Sequence, residues 1–182
     1  MDSNIKNSVN YTLRSKDKPL ISFTLYEKEE LILDLGVINK SYSIEIKKIF
    51  NENKELFPKN FPQKLTNEIL LRWINRRKAP KNRQFVEKIM SAFNDTSNPM
   101  RYVDVSHALS LNDAYWITRD DVELKWQDCN LYEHKFDEIL SYVAFTGYSE
   151  KVSGVVTSPE ITSSGALKKC WSNRQDGIYL IK

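Results

Sequence analysis

Two apolar periods follow one another along this chain, and the change between them limits its possible folds more than any other feature. From Leu20 to Tyr26 apolar and polar residues alternate, as in a half-buried strand, and Leu31-Ile32-Leu33-Asp34-Leu35-Gly36-Val37 supplies a second apolar run. After Thr66 the spacing lengthens. Ile69, Leu70, Trp73 and Ile74 fall on one face of a 3.6-residue repeat. A chain that carries both periods in succession packs helices on a sheet, so the expected class is α+β.

The first twenty residues are polar and are expected to fray, with Lys16-Asp17-Lys18-Pro19 marking entry into ordered structure. A β-hairpin is expected next, its strands Leu20 to Tyr26 and Leu31 to Val37, its connection the charged Glu27-Lys28-Glu29-Glu30. The spacing of Ile44, Ile46, Ile49, Phe50 and Leu56 predicts a short helix over Ile44 to Phe57, and Pro58 to Pro62 reads as a loop. Thr66 reads as an N-cap, with Leu65 and Leu70 at staple positions and Glu68 near the positive helix end. The helix it opens runs from Asn67 to Lys78 and closes at Ala79-Pro80. A second helix, Asn82 to Phe93, would bury Phe85, Val86, Ile89, Met90 and Phe93, and the short join makes the two a helical pair. A further helix is predicted over Lys135 to Phe145, ended by Gly147. A last hairpin joins Leu167 to Trp171 with Ile178 to Lys182 through a turn ending in Asp176-Gly177. These elements divide into an N-terminal region, 1–62, and a second, 63–182, or combine into one compact domain.

Composition narrows the class of function. With 182 residues, 41% of them hydrophobic, the chain can bury a core, and no apolar run reaches the roughly 18–20 residues of a membrane span. No apolar stretch follows the charges at the N-terminus, so a signal peptide is not expected, and the cytoplasm is the expected location. Cys129 and Cys170 lack metal-ligand spacing and read as reduced thiols. His107 and His134 are isolated, so neither a metal nor another cofactor is predicted.

Charge is unevenly spread. Between Arg72 and Lys88 seven basic residues stand against one acid, whereas Arg119 to Glu138 holds seven acids against three basic residues. The basic set is Arg72, Arg76, Arg77, Lys78, Lys81, Arg83 and Lys88. The apolar stripe occupies the opposite face, so Arg76, Arg77 and Lys78 are expected to project outward. Together the seven can neutralise several phosphates of a nucleic acid or meet an acidic protein surface; a solvated charged face accounts for them equally. Tyr115, Trp116, Trp126 and Tyr132 can form a platform for bases or a partner, but core packing is the simpler reading, with Asn112 and Asp113 turning or capping the chain. Asp120-Asp121 and Glu29-Glu30 are read as charged turns.

The Ser163-Ser164-Gly165 loop precedes a strand, and a second strand ends in Lys182. Such a pair can cradle a phosphate, or simply turn the chain. Three segments, Ser110-Leu111-Asn112-Asp113-Ala114-Tyr115-Trp116, Trp126-Gln127-Asp128-Cys129-Asn130-Leu131-Tyr132 and Ser163-Ser164-Gly165-Ala166-Leu167-Lys168-Lys169, together resemble the N-terminal portion of HipA-like serine/threonine kinases over about residues 66–182. The resemblance implies a kinase-like N-lobe element in which Ser163, Ser164, Gly165, Lys169 and Lys182 are a vestigial nucleotide site. The carboxylates and aspartate that phosphoryl transfer needs are not found before Lys182, so catalysis is not expected.

As a whole, in likeness and size, the chain resembles the type II-A anti-CRISPR proteins of phages and mobile elements. That resemblance implies a non-enzymatic inhibitor whose partner is a type II CRISPR effector nuclease with its guide RNA, and which blocks target-DNA engagement or cleavage. DNA or RNA contact is implied and membrane contact is not. The rival expectations are a nucleotide-binding but inactive N-lobe or regulatory fragment of a HipA-like toxin kinase, and a small DNA-binding regulator using the helical pair.

Overall fold

A computed structural model describes residues 4–32, 37–77, 98, 100–133 and 170–181. Its centre is a four-stranded antiparallel sheet in the order β3-β2-β1-β4, built from β1 (Asn4–Ser15), β2 (Lys18–Ile32), β3 (Val37–Ile49) and β4 (Tyr115–Arg119). The α+β class holds. A 3-10 segment, Asn51–Leu56, follows β3, and two helices, α1 (Asn67–Arg76) and α2 (Arg101–Ser106), contribute to one face of the sheet.

From Asn4 onward the polar N-terminal segment is not a frayed tail. β1 is an inner strand, paired with β2 from Asn4 to Ser15 and with β4 from Tyr11 to Ser15. Its polar look hides a two-residue period. Val9, Tyr11 and Leu13 face the core, and Tyr11 stacks on Phe23 with centroids 5.6 Å apart. The alternate residues are satisfied by hydrogen bonds: Thr24 Oγ1 donates to Asn10 Oδ1 at 2.7 Å and Thr12 Oγ1 to Asp120 Oδ1 at 2.6 Å. Buried hydroxyls so paired cost little, which lets a polar segment lie inside a sheet.

Lys16-Asp17 is accordingly a hairpin turn, not a domain entrance. Lys16 adopts φ 47°, a conformation unfavourable for a side chain with a Cβ, and tertiary bonds hold it there. Lys16 N donates to Ala114 O at 3.0 Å, and Trp116 Nε1 donates to Lys16 O at 2.6 Å. A register shift between Leu13 and Arg14 then brings the consecutive residues Leu20 and Ile21 both into the core.

The expected charged turn at Glu27 to Glu30 is also strand. β2 runs through it to Ile32, and Lys40 on β3 pairs with Glu27 at 3.0 Å and Glu29 at 3.7 Å. Cross-strand pairing accommodates charges that in sequence look like a connection. The helix expected over Ile44 to Phe57 is replaced by the end of β3 and the 3-10 segment. Tyr42, Ile44 and Ile46 contribute to the core at strand spacing, while Glu45 and Lys47 form a salt bridge on the other face. So few apolar residues fit either period at this length, and sheet pairing decided between them.

α1 begins where expected: Thr66 is the N-cap, its Oγ1 accepting from Ile69 N at 3.4 Å. It ends at Arg76, with Arg77 as C-cap, two residues before the predicted end. Asn67 Oδ1 accepts the Ile46 N–H at 2.9 Å, tying α1 to edge strand β3. Leu70, Trp73 and Ile74 join Met100 and Val103 in the main core. A second cluster, Leu109, Trp116, Cys129 and Leu131, lies around the other face of β4, so that β4 is buried on both sides. The sheet and main core thus draw on residues from both 1–62 and 63–182.

A last hairpin is present, from β5 (Cys170–Arg174) and β6 (Gly177–Ile181) around Gln175-Asp176; its first strand continues three residues past the expected end at Trp171, so the turn is shorter than expected. The helices predicted over 82–93 and 135–145 lie outside the described residues. No helix among the described residues is long and apolar enough to cross a membrane.

Candidate nucleic-acid interface

Four aromatic rings run edge to face beneath the α1 surface. Phe57 meets Phe61 at 6.3 Å, Phe61 meets Trp73 at 5.7 Å, and Trp73 meets Tyr115 at 6.1 Å, with interplanar angles of 87°, 74° and 78°. The loop after the 3-10 segment supplies the first two rings, α1 the third and β4 the fourth. The spacing Phe57-Pro58-Lys59-Asn60-Phe61 brings the Phe61 ring to Trp73 of α1 and the Phe57 ring behind it, while Lys59 and Asn60 remain exposed.

Above these rings lie two adjoining depressions of about 240 Å³ and about 530 Å³, which share Asn60, Trp73 and Arg76 in their walls. They form one groove that passes Arg76. Phe61 and Arg72 line its narrower end; Lys59, Asn112 and Tyr115 line the wider. Arg72 and Arg76 are exposed and one helical turn apart, about 6 Å between Cβ atoms. Among the described residues no salt bridge joins Lys59, Arg72 or Arg76 to an acid.

Arg77 is different, and it overturns the expectation that the three consecutive cations all project outward. Its side chain is 10% exposed and donates to both oxygens of Asp113 at 2.8 Å. Nε donates to Ala108 O at 2.7 Å and Nη2 to Tyr115 O at 3.0 Å, while the guanidinium lies 4.7 Å from the Trp73 ring centre. Arg77, the C-cap, keeps helical dihedrals (φ −89°, ψ −7°) and stands three and four residues after Ile74 and Trp73, so the helical period carries it onto the core-facing side, away from Arg72 and Arg76. Asp113 also accepts from Tyr115 N at 3.1 Å, so the expected capping role is observed together with an ion pair that the sequence did not reveal. Burial, and then the Asp113 charge, raises the Tyr115 pKa, which keeps the ring neutral within the groove.

Of the seven basic candidates, the structure therefore brings Arg72 and Arg76 to the groove and uses Arg77 to build its wall. Lys78, Lys81, Arg83 and Lys88 lie outside the described residues, as do Ser163, Ser164, Gly165, Lys169 and Lys182. Lys59, Asn60, Phe61 and Asn112 were missed. The alternation of rings and a cation in Phe57 to Phe61 was the available signal, obscured by reading the two prolines only as loop markers.

The aromatic segment after Ser110 mostly builds core. Trp116 is fully buried and contacts Trp126 at 6.5 Å, which in turn contacts Tyr132 at 6.4 Å. Cys129 is a free buried thiol whose pKa burial pushes up to about 12, the reverse of a reactive nucleophile. His107 is buried beside Ile117 O, and burial lowers its pKa. No group of three or more metal-binding side chains occurs among the described residues. No family model, curated protein or solved structure matches the chain.

Proposed function

We propose that this chain is an anti-CRISPR inhibitor that binds a type II CRISPR effector nuclease with its guide RNA and blocks target-DNA engagement or cleavage. The supporting observation is the groove, where Lys59, Arg72 and Arg76 surround an aromatic floor and take no acidic partner among the described residues. A guided nuclease exposes or holds nucleic acid during PAM reading and strand exchange, and a basic, ring-lined surface competes for such nucleic acid. The inhibitor acts by occupation in the cytoplasm of a bacterial host and needs no catalytic step. The test is a titration of the protein into a fixed amount of guide-loaded nuclease while DNA cleavage is followed. Activity should disappear near molar equivalence, and a complex should elute from a sizing column. Absence of inhibition across several type II nucleases would reject the proposal.

A second reading is favoured by the terminal hairpin, since a kinase-like N-lobe element of the HipA type calls for a strand pair where β5 and β6 stand. On that reading the chain binds ATP without transferring phosphate. Calorimetric titration with ATP should then give saturable binding that Lys169→Ala weakens, and heats indistinguishable from dilution would remove it.

A further inference from the structure

We infer that the groove along α1 takes an unpaired stretch of nucleic acid, holding phosphates on Lys59, Arg72 and Arg76 and a base against the rings beneath. This inference deepens the functional proposal and rests on its reading of the groove as a contact surface. Three features point to a single strand. First, the cations lie at the rim: Arg72 and Arg76 stand one turn apart on α1, and Lys59 is on the facing loop. A strand laid along the groove passes all three. Second, the acid in the wall is already neutralised. Asp113 would repel a phosphate, but the bidentate Arg77 pair holds its charge.

Third, the floor is aromatic and concave. Phe61 and Tyr115 are half-buried on either side of Trp73, and exposed Asn60 and Asn112 offer amide donors and acceptors at the edges. In a duplex the base faces are covered by neighbouring pairs and only edges and phosphates are presented, so rings at the base of a groove gain nothing. An unpaired base can leave its stack and place its π-face on Phe61 or Tyr115, a contact open to any base. A wholly electrostatic duplex site would need neither the concavity nor the rings. Phosphate contacts and base stacking do not distinguish ribose from deoxyribose, so RNA and DNA share the chemistry proposed here.

The test uses the whole chain without nuclease and follows fluorescence anisotropy of a labelled twelve-nucleotide single strand, as DNA and as RNA of one sequence. Saturable binding to either is expected, with log affinity falling against log salt at a slope of about −2, from three neutralised phosphates. Replacing Arg72 and Arg76 together by Ala should reduce that slope to about −0.7 while leaving the circular dichroism spectrum unchanged. An abasic strand with the same backbone should bind at least about five-fold more weakly to the unaltered protein, because it has phosphates but no rings to stack. Equal binding of the abasic strand would overturn the base contact. Equal competition by a duplex of the same sequence, or by poly-glutamate, would overturn the single-strand assignment in favour of a general anionic surface. Binding without nuclease inhibition would sustain this inference and reject the nuclease proposal, whereas inhibition without binding would do the opposite.

Discussion

Arg77 and Asp113, 36 residues apart in sequence, meet through two parallel hydrogen bonds of 2.8 Å that join the end of α1 to the entrance of β4. The same guanidinium satisfies the carbonyls of Ala108 and Tyr115 and covers one side of Trp73. Loss of this side chain would leave a half-buried carboxylate with the Tyr115 N–H but no cation, and would take the guanidinium donor from two carbonyls.

Arg77→Ala is therefore expected to lower unfolding stability by roughly 2–4 kcal/mol, toward the lower end of a buried pair because Asp113 retains some solvent. Arg76→Ala, one residue earlier but exposed, should stay within about 0.5 kcal/mol of the parent. Urea denaturation of both variants checks the contrast. Equal midpoints would show that Arg77 is as dispensable as its neighbour.

A chain shortened to begin at Lys16 should not fold cooperatively. It lacks an inner strand that carries Tyr11 and Leu13 into the core and links β2 to β4. Removal of a tail would leave the melting transition intact; removal of this strand should abolish it in a calorimetric scan.

Burial lowers the His107 pKa from an ordinary value of 6.5, against a smaller opposing effect of Ile117 O. Below about pH 6.5 the unfolded chain binds a proton that the folded chain resists, so the stability of the neutral ring is present above that pH and is lost as pH falls. Denaturation midpoints measured between pH 7.5 and 5.5 should decline with a slope of at most about 1.4 kcal/mol per pH unit from this residue. His107 has φ 50°, a conformation asparagine tolerates, so His107→Asn is the appropriate comparison and should flatten the decline. An unchanged slope would assign the effect elsewhere.

Cys129 should resist alkylation at pH 8 in the folded protein, since burial and the nearby Asp128 charge disfavour its thiolate. Peptide mass spectrometry after iodoacetamide treatment should find it modified only in denaturant. Rapid labelling under native conditions would contradict the burial of the second cluster around Trp116.

Local signals were readable where one short segment carried them. Thr66 with its following apolar stripe announced α1, and the runs on either side of Asp176-Gly177 announced the last hairpin, because a cap and a tight turn involve only near neighbours. The segment from Ile44 was misread because its few apolar residues fit either period until β2 supplied a partner.

By itself, then, the sequence determined the α+β class, the start of α1 and its apolar face, and the concentration of positive charge after Arg72. Tertiary structure decided that the polar N-terminus is an inner strand, because the bonds satisfying Thr12 come from Asp120 and those fixing Lys16 from Ala114 and Trp116. The helical period already sets Arg77 beside Trp73 and Ile74; tertiary structure decided what it meets there. Arg76 and Arg77 are the same residue type and adjacent in sequence, yet only Arg77 lies on the core-facing side, where Asp113 and the carbonyls of Ala108 and Tyr115 offset its desolvation, while Arg76 remains in water.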